Sequence, residues 1–259
     1  MATQPGDSVR RLEVAAALPA GGGERFDGYG IMGLPFASGH ILALRRFPAS
    51  SIGPGYAAVW HRDPAGNWSF YSDVDPHHSC SRFFGSALAR SERSAITLVW
   101  DDPRRLTIAV WAAGLTWEVQ LAETPATSLL NGMSAAIPAK LWRRPTVLAA
   151  VAALAGRALG AGRLRLLGCT PNRQRFRAAP RKLWVITESR AWMGGADLGA
   201  PAPLLPQAQL GDFLIPQRGL FVIGSAFFEH CEEAVRAERP APRLPRMDGV
   251  HARHFASAD

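Results

Sequence analysis

Short apolar or alternating runs, separated by turn-forming residues, follow one another from residue 24 to residue 121. Runs of this length and spacing are typical of β-strands. The brief links DPAGN, DDPR and AAG are long enough for tight turns between antiparallel neighbours, so the pattern predicts an antiparallel meander. The predicted strands cover residues 40–47, 55–62, 68–74, 94–100, 105–111 and 115–122.

The pattern changes to Ala- and Leu-rich helical segments over residues 124–162. Pro125, Pro138 and Pro145 are suited to begin separate helices, because proline is tolerated in a first turn. Gly160 follows the last segment as a helix-ending residue. That last helix has no polar face, so we expect it to be buried or to lie against an apolar surface.

A strand pattern returns over residues 163–229, and residues 227–239 predict a terminal helix. The order of elements favours a mainly β fold, a single antiparallel β-barrel with a helical insertion and a C-terminal helix. An α+β fold with two half-sheets, residues 24–122 and 163–229, is the alternative. We expect one domain over residues 24–235 with its helical insert at 124–162, between a flexible lead at 1–23 and a flexible tail at 236–259.

Polar and aromatic side chains concentrate in residues 61–85. Residues 63–67 (DPAGN) predict a hairpin loop. With a five-residue loop, Arg62 faces Trp68 and Trp60 faces Phe70. One face of the hairpin then carries Tyr56, Trp60, Trp68 and Phe70, and the other carries His61, Ser69, Tyr71 and Asp73. A four-residue loop would mix the two sets.

If the second set faces the inside of a barrel, it predicts an acid–base cluster in a ligand cavity. Asp73 would act as acid or base, with His61 and Tyr71 orienting it. On an outer wall the same residues would be ordinary solvent contacts. Arg62 or Arg82 could hold a substrate oxygen or carboxylate. The candidate ligand-binding residues are Tyr56, Trp60, Arg62, Trp68, Phe70, Arg82 and Trp117.

Metal binding by Asp73, Asp75, His77, His78 and Cys80 is disfavoured. Adjacent histidines on a strand point to opposite faces, and no recognised ligand spacing supports them. We therefore expect no metal and no cofactor, and a polar loop with Cys80 buried. The sequence has neither a GxSxG elbow nor a phosphate-binding glycine loop after a strand.

Charge is distributed unevenly along the chain, whose net charge is +8. Residues 124–187 contain no acidic residue and eleven basic ones, a block that would attract an anionic surface or ligand unless it is simply a solvated face. It lacks the aromatic interleaving of a nucleic-acid reader, so we expect no nucleic-acid partner. Three widely spaced cysteines and a poor secretory signal favour buried free thiols in the cytoplasm.

The aromatic strand pair GYAAVWHRDPAGNWSFYS and the later PNRQRFRAAPRKLWVITES resemble bacterial lipocalin-like (calycin) proteins of the hydroxyneurosporene synthase-like, small-molecule tailoring type. The segments cover about a quarter of the chain, and the GxW motif of typical lipocalins is missing. The resemblance implies a barrel with an apolar cavity and carries over no catalytic residue.

Three functions follow as hypotheses. The first is a barrel that binds a lipophilic small molecule, with the insert at 124–162 in peripheral contact with an anionic membrane such as the inner membrane. The second is a cofactor-independent hydratase, isomerase or cyclase acting on a lipophilic substrate. The third is a non-catalytic protein whose basic block meets an acidic partner.

Overall fold

The fold is known from a computed structural model that describes residues 4–230. Its α-helices are α1 (Pro5–Ala15), α2 (Ser81–Phe84), α3 (Pro125–Ala136) and α4 (Pro145–Ala158). Short 3₁₀ turns lie at Pro76–His78, Gly85–Ala87, Trp111–Ala113 and Leu141–Arg143.

Fourteen strands are the main regular structure of the described chain. They are β1 (Glu24–Pro35), β2 (Ile41–Ser50), β3 (Tyr56–Arg62), β4 (Trp68–Ser72), β5 (Arg90–Arg93), β6 (Ile96–Asp102), β7 (Arg105–Val110), β8 (Leu115–Ala122), β9 (Leu167–Cys169), β10 (Gln174–Met193), β11 (Ala196–Asp197), β12 (Gln209–Leu210), β13 (Phe213–Leu214) and β14 (Leu220–His230). The fold is mainly β with helical insertions, as the sequence predicts.

One curled sheet holds twelve of these strands. Ten follow the order β5-β4-β3-β2-β1-β14-β10-β8-β7-β6, and the short β9 and β11 pair with β10. The expected single meander is therefore two meanders, β1–β4 and β6–β8, with β14 and β10 between them. Both predicted halves of the chain share this sheet, so the alternative of two half-sheets is wrong. Within the described residues the sheet ends at β5 and β6, which makes it a half-barrel rather than a closed barrel.

The face on which the two meanders meet is filled with side chains. Eight strands contribute to one buried cluster, which includes the fully buried Leu44, Trp117 and Phe221, and β6 packs partly buried side chains against it. Residues from both ends of the sheet can pack together only if the sheet curls around them, so we call this cluster the inner core. It is a packed core of the kind that small barrels build.

The N-terminal segment differs from the expected featureless lead. Helix α1 lies against the curl, where Val9 joins the inner core and the Gly6 N–H donates to the Pro103 carbonyl at 2.8 Å. Glu13 accepts hydrogen bonds from the Tyr29 hydroxyl at 2.9 Å and from Arg46 Nε at 2.9 Å. The apolar contacts that order this helix are long-range, and the local Ala- and Gly-rich composition gave no sign of them.

Two other predicted boundaries change. The expected strands between residues 174 and 195 are the single long strand β10, whose register shifts between Pro180 and Lys182. Residues 227–230, expected to begin a helix, continue β14, because they pair with β1 and β10 on either side. The rest of that predicted helix and the tail at 236–259 lie outside the described residues.

Helices fill the insert at 124–162, as predicted. Thr124 caps α3 by accepting from the Thr127 N–H, with a proline following at the first helical position. In α4 the side chains of Leu148 and Ala155 are buried, and Ala155 packs in one cluster with Leu183 and Leu220 of the sheet, while Leu154 remains 42% exposed. No helix within residues 4–230 is both long and apolar enough to cross a membrane.

Candidate functional site

The hairpin of β3 and β4 has the five-residue loop and the register that the sequence analysis considered first. Arg62 pairs with Trp68, and Trp60 pairs with Phe70. The Asp63 carboxylate accepts from the Asn67 N–H at 2.8 Å, and Gly66 takes a φ of +100°, which explains the loop sequence.

The candidate acid–base residues share a hairpin face but do not form a cluster. The Asp73 carboxylate accepts from the Ala57 N–H at 2.8 Å and so closes the end of the hairpin. Tyr71 is buried in the inner core. Among the described residues no hydrogen bond joins Asp73, Tyr71 and His61, and none of the three lines the cavity described below. The predicted catalytic arrangement is therefore not assembled.

His61 has a different partner, His40 at the start of the neighbouring strand. Their rings are stacked, and His40 Nδ1 lies 2.8 Å from His61 Nε2. One ring must donate and the other accept, so at least one must be neutral. Burial and the neighbouring His40 lower the pKa of His61 to about 4, and burial lowers the pKa of His40.

The candidate ligand-binding residues divide among three places. Tyr56, Trp60, Trp68 and Phe70 belong to a second buried cluster, on the opposite face of the sheet from the inner core. We call it the outer core. Trp117 lies in the inner core, where its indole N–H donates to Ser189 Oγ at 2.9 Å.

The two candidate arginines are engaged elsewhere. Arg62 stays at the hairpin end, beside Asp63. Arg82 forms an ion pair with Glu24 at 2.7 Å. Of the whole predicted ligand-binding set, Trp60 alone lines the cavity.

The histidines after β4 form a capped turn. Asp75 accepts from the His77 N–H at 2.9 Å, and both His77 and His78 are exposed. Within residues 4–230 no group of three or more His, Cys, Asp or Glu residues is placed to hold a metal ion. Cys80 is buried as expected, but Cys169 lies at the surface, and Cys231 falls outside the described residues.

A cavity of about 180 Å³ lies between the helical insert and the sheet face that carries the outer core. Strands β1, β2, β10 and β14 form one wall, and α3 and α4 form the other. The lining is almost entirely aliphatic and aromatic. An engineered apolar cavity of about 150 Å³ takes up benzene, so this volume is sufficient for a small organic molecule.

Small residues on adjacent strands create this space. Gly28 of β1 lies directly opposite Gly224 of β14, and Ala226 lies opposite Ala178 of β10. All four line the cavity. Because this part of the sheet face has no large side chains, it leaves space between itself and the helices. Leu130 of α3 lines that space from the opposite side.

The fully buried part of the lining holds one cation, Arg45. Its side chain comes from β2, is 6% exposed and lies over the Trp60 ring at 4.3 Å. Nη1 donates to the carbonyls of Ile31 at 2.6 Å and Leu44 at 2.8 Å, and Nη2 donates to that of Met32 at 3.3 Å.

No carboxylate pairs with Arg45 among the described residues. Three of its five N–H groups are bonded to carbonyls, which leaves Nε–H and one N–H of Nη2 without a partner. Burial lowers the pKa of Arg45 to about 10, so the group still carries its charge at neutral pH. A buried charge without a counter-ion is costly and therefore unusual.

Other polar groups lie near this guanidinium. The Cys80 sulfur and the Tyr56 hydroxyl are 3.3 Å apart, and burial raises the pKa of both groups. The Trp60 indole N–H is buried without a hydrogen-bond partner. The Cys80 sulfur is near enough to this N–H to influence the pKa of the thiol, but no hydrogen bond of ordinary geometry joins them.

The remaining basic side chains along the cavity are already engaged or lie nearer the surface. Arg165 pairs with Asp212. Arg181 forms a bidentate ion pair with Asp27, with N···O distances of 2.7 and 3.0 Å. Arg177 lies over the Phe227 ring at 3.7 Å, and Lys182 is half-buried.

Arg45 is not among the predicted site residues, although the alternation in residues 40–47 held a signal. Two arginines in succession on a strand must point to opposite faces. Arg46 is the solvent-side member, because it pairs with Glu13. Arg45 therefore shares the face of Ile41, Ala43 and Phe47, an otherwise apolar row.

Comparisons with known proteins identify no family. Neither the protein-family models nor the curated proteins include a match to this chain. Among solved structures, an acetoacetate decarboxylase from Legionella pneumophila is 9% identical, with 85% of this chain and 92% of that chain covered and a TM-score of 0.39. A second acetoacetate decarboxylase structure is 11% identical, with 83% and 89% covered and the same TM-score. Likeness at this level says nothing about the activity of this chain.

Proposed function

We propose that this chain binds a lipophilic small molecule in the cavity between the helical insert and the sheet. The observation that carries the proposal is the apolar lining of a cavity of about 180 Å³ that the surrounding side chains leave unfilled. Well-formed apolar pockets with a few fixed polar groups are the usual form of small-molecule sites. The lipocalin-like resemblance implies a ligand of the same class, but inside a barrel, whereas the inner core here is packed.

The positions of the predicted catalytic residues favour a binding function over acid–base catalysis. The Asp73 carboxylate accepts from the Ala57 N–H, and His61 is hydrogen-bonded to His40. Tyr71 is packed in the inner core. A bound molecule in the cavity would meet none of them. The groups it would meet are mainly aliphatic and aromatic side chains, with the Arg45 guanidinium, the Cys80 thiol and the other polar and basic side chains along the cavity.

The same proposal includes a route for the ligand from an anionic membrane. Leu129, Met133, Leu141 and Leu154 of the insert are all more than a third exposed. The insert exposes basic side chains as well, and residues 124–187 contain no acidic residue that would oppose an anionic surface. Met133 and Leu154 also line the cavity, so this surface adjoins the binding site.

A neutral fluorescent probe tests whether the cavity binds ligands. We expect N-phenyl-1-naphthylamine to gain fluorescence with the wild-type protein, because an apolar site excludes water from the dye. Ala155 is buried on the cavity side of α4, whereas Ala153 of the same helix is exposed and does not line the cavity. The Ala155→Phe variant should lose at least tenfold in affinity, since its ring would occupy the cavity.

The Ala153→Phe variant is the matched control and should bind the probe as the wild type does. Thermal melts of both variants would confirm that they fold. Equal probe binding by both, or none by the folded wild-type protein, would contradict the proposal. Extraction of protein purified from its own source, followed by mass spectrometry, would then identify the natural ligand.

A further inference from the structure

The unpaired polar groups that the fully buried lining residues Arg45 and Trp60 bring to the cavity are of one kind. The Arg45 guanidinium offers two N–H groups, and Trp60 offers an indole N–H, all without partners among the described residues. Each is a donor, and the guanidinium is charged. No acceptor of the described residues, the neighbouring Cys80 sulfur and Tyr56 hydroxyl included, forms a hydrogen bond of ordinary geometry with these three N–H groups.

We infer that the ligand is a lipophilic carboxylic acid whose carboxylate binds Arg45 and the Trp60 indole N–H, with its apolar body in the cavity. The inference rests on the proposed function and specifies the class of ligand. Two N–H donors of one guanidinium match the two oxygens of a carboxylate. The indole N–H can donate a third hydrogen bond.

The energetics of a buried charge support a negatively charged group. An unpaired guanidinium is a liability in the free protein, which an apolar residue of similar size would remove. A carboxylate in the cavity would supply the missing counter-charge and acceptors together. Its own desolvation would be offset by hydrogen bonds to charged groups, which are stronger than those between neutral groups.

The geometry favours a monoanion over a phosphate. Arg165 and Arg181 along the cavity are each paired with an acidic side chain, so neither offers its full charge to a ligand. Arg45 is the one described cation that is both fully buried and without an acidic partner in the lining. A single positive charge can neutralise one carboxylate but not a dianion.

Two probes of equal chain length separate the head group from the body. Decanoate and decan-1-ol share the same alkyl chain, and displacement of N-phenyl-1-naphthylamine measures the affinity of each at pH 7.5. We expect decanoate to bind at least about tenfold more tightly, because hydrogen bonds to charged groups are the stronger ones. The preference should disappear in the Arg45→Met variant, which should bind decanoate no more tightly than decan-1-ol.

Arg46→Met is the matched control, since Arg46 is the next residue on the same strand and points to the opposite face. It should keep the preference for decanoate. Because Arg45 also bonds three carbonyls of β1 and β2, its replacement could prevent folding. The Trp60→Phe variant then serves as the second test, and its preference for decanoate over decan-1-ol should be at least threefold smaller than that of the wild type.

The outcomes distinguish the two proposals. If decan-1-ol and decanoate displace the probe equally well in the wild-type protein, the carboxylate inference is overturned and the binding cavity stands. If neither the probe nor the two ligands bind, both are overturned. A decanoate preference that survives in Arg45→Met and Trp60→Phe would also overturn the inference.

Discussion

At the scale of single residues, alternation along a strand identifies a polar side chain that is out of place. Arg46 lies where a solvent-facing arginine should be, whereas Arg45 belongs to the apolar row of β2. His61 is a similar case, because the sequence marks it as a candidate but gives no means of finding its partner. His40 meets it only through the pairing of β2 with β3, a long-range contact.

The His40–His61 pair predicts a pH dependence of stability. The pKa of His61 is lowered to about 4 in the folded chain, below its ordinary value of 6.5, so the unfolded chain takes up the proton first as the pH falls. The free energy of unfolding should therefore decrease by about 1–2 kcal/mol between pH 7.5 and pH 5 because of this group.

Urea unfolding of the His61→Gln variant at both pH values measures this contribution. The variant should lose less stability on acidification than the wild type by that amount, since glutamine does not titrate. The control variant His77→Gln removes an exposed histidine and should lose as much stability as the wild type when the pH is lowered. Parallel pH dependence of the wild type and His61→Gln would show that the pair does not control acid stability.

At the scale of elements, local signals set the hairpins and helix starts, while pairing sets the rest. The loop at residues 63–67 fixes the register of β3 and β4, because its turn chemistry is local. The extent of β10 and the strand at residues 227–230 depend on neighbours distant in sequence. Propensity favoured a helix at 227–230, and two flanking strands overrode it.

The close approach of β1 and β2 predicts a site that accepts only glycine. A Cβ added at Gly28 would lie 2.0 Å from the Arg46 carbonyl oxygen and 2.8 Å from Phe47 Cα, both backbone atoms that cannot move aside alone. Gly28→Ala should therefore lower the free energy of unfolding by about 2 kcal/mol or more, as overpacking does.

Urea unfolding midpoints check this expectation. Gly22→Ala, two residues before the start of β1, is the control, since nothing lies within 4 Å of the added Cβ atom. It should change stability by no more than about 0.5 kcal/mol. If both variants unfold at the same urea concentration as the wild type, β1 and β2 are not as close at Gly28 as the structure places them.

At the scale of the whole molecule, the sequence predicts the class of fold but not the location of the cavity. Strands β1 and β2 are buried on both faces, so their sequences carry no simple alternation between core and solvent. The sheet packs its inner core on one face and receives the helical insert on the other. The aromatic residues that suggested a ligand site fill the outer core, and the space lies beside them, over Gly28 and Gly224.

The surface of the insert leads to the prediction that the protein binds anionic membranes. Sedimentation with vesicles of phosphatidylglycerol and phosphatidylcholine should carry the wild-type protein down, and vesicles of phosphatidylcholine alone should not. Each basic residue near an anionic surface contributes about 1 kcal/mol, and added salt screens it, so binding should fall as the salt concentration rises.

Substitution of Leu129 and Leu154 distinguishes apolar contact with the membrane from charge attraction alone. The two leucines are 66% and 42% exposed on the two helices of the insert. The double variant Leu129→Gln, Leu154→Gln should lose at least about fivefold in vesicle affinity, since burial of exposed leucine in the interface contributes to binding. Val99→Gln, at an exposed apolar position in β6, should bind as the wild type does. Equal loss in the two variants, or equal sedimentation with both kinds of vesicle, would contradict entry of the ligand through the insert. The cavity would then have to exchange its ligand directly with solution.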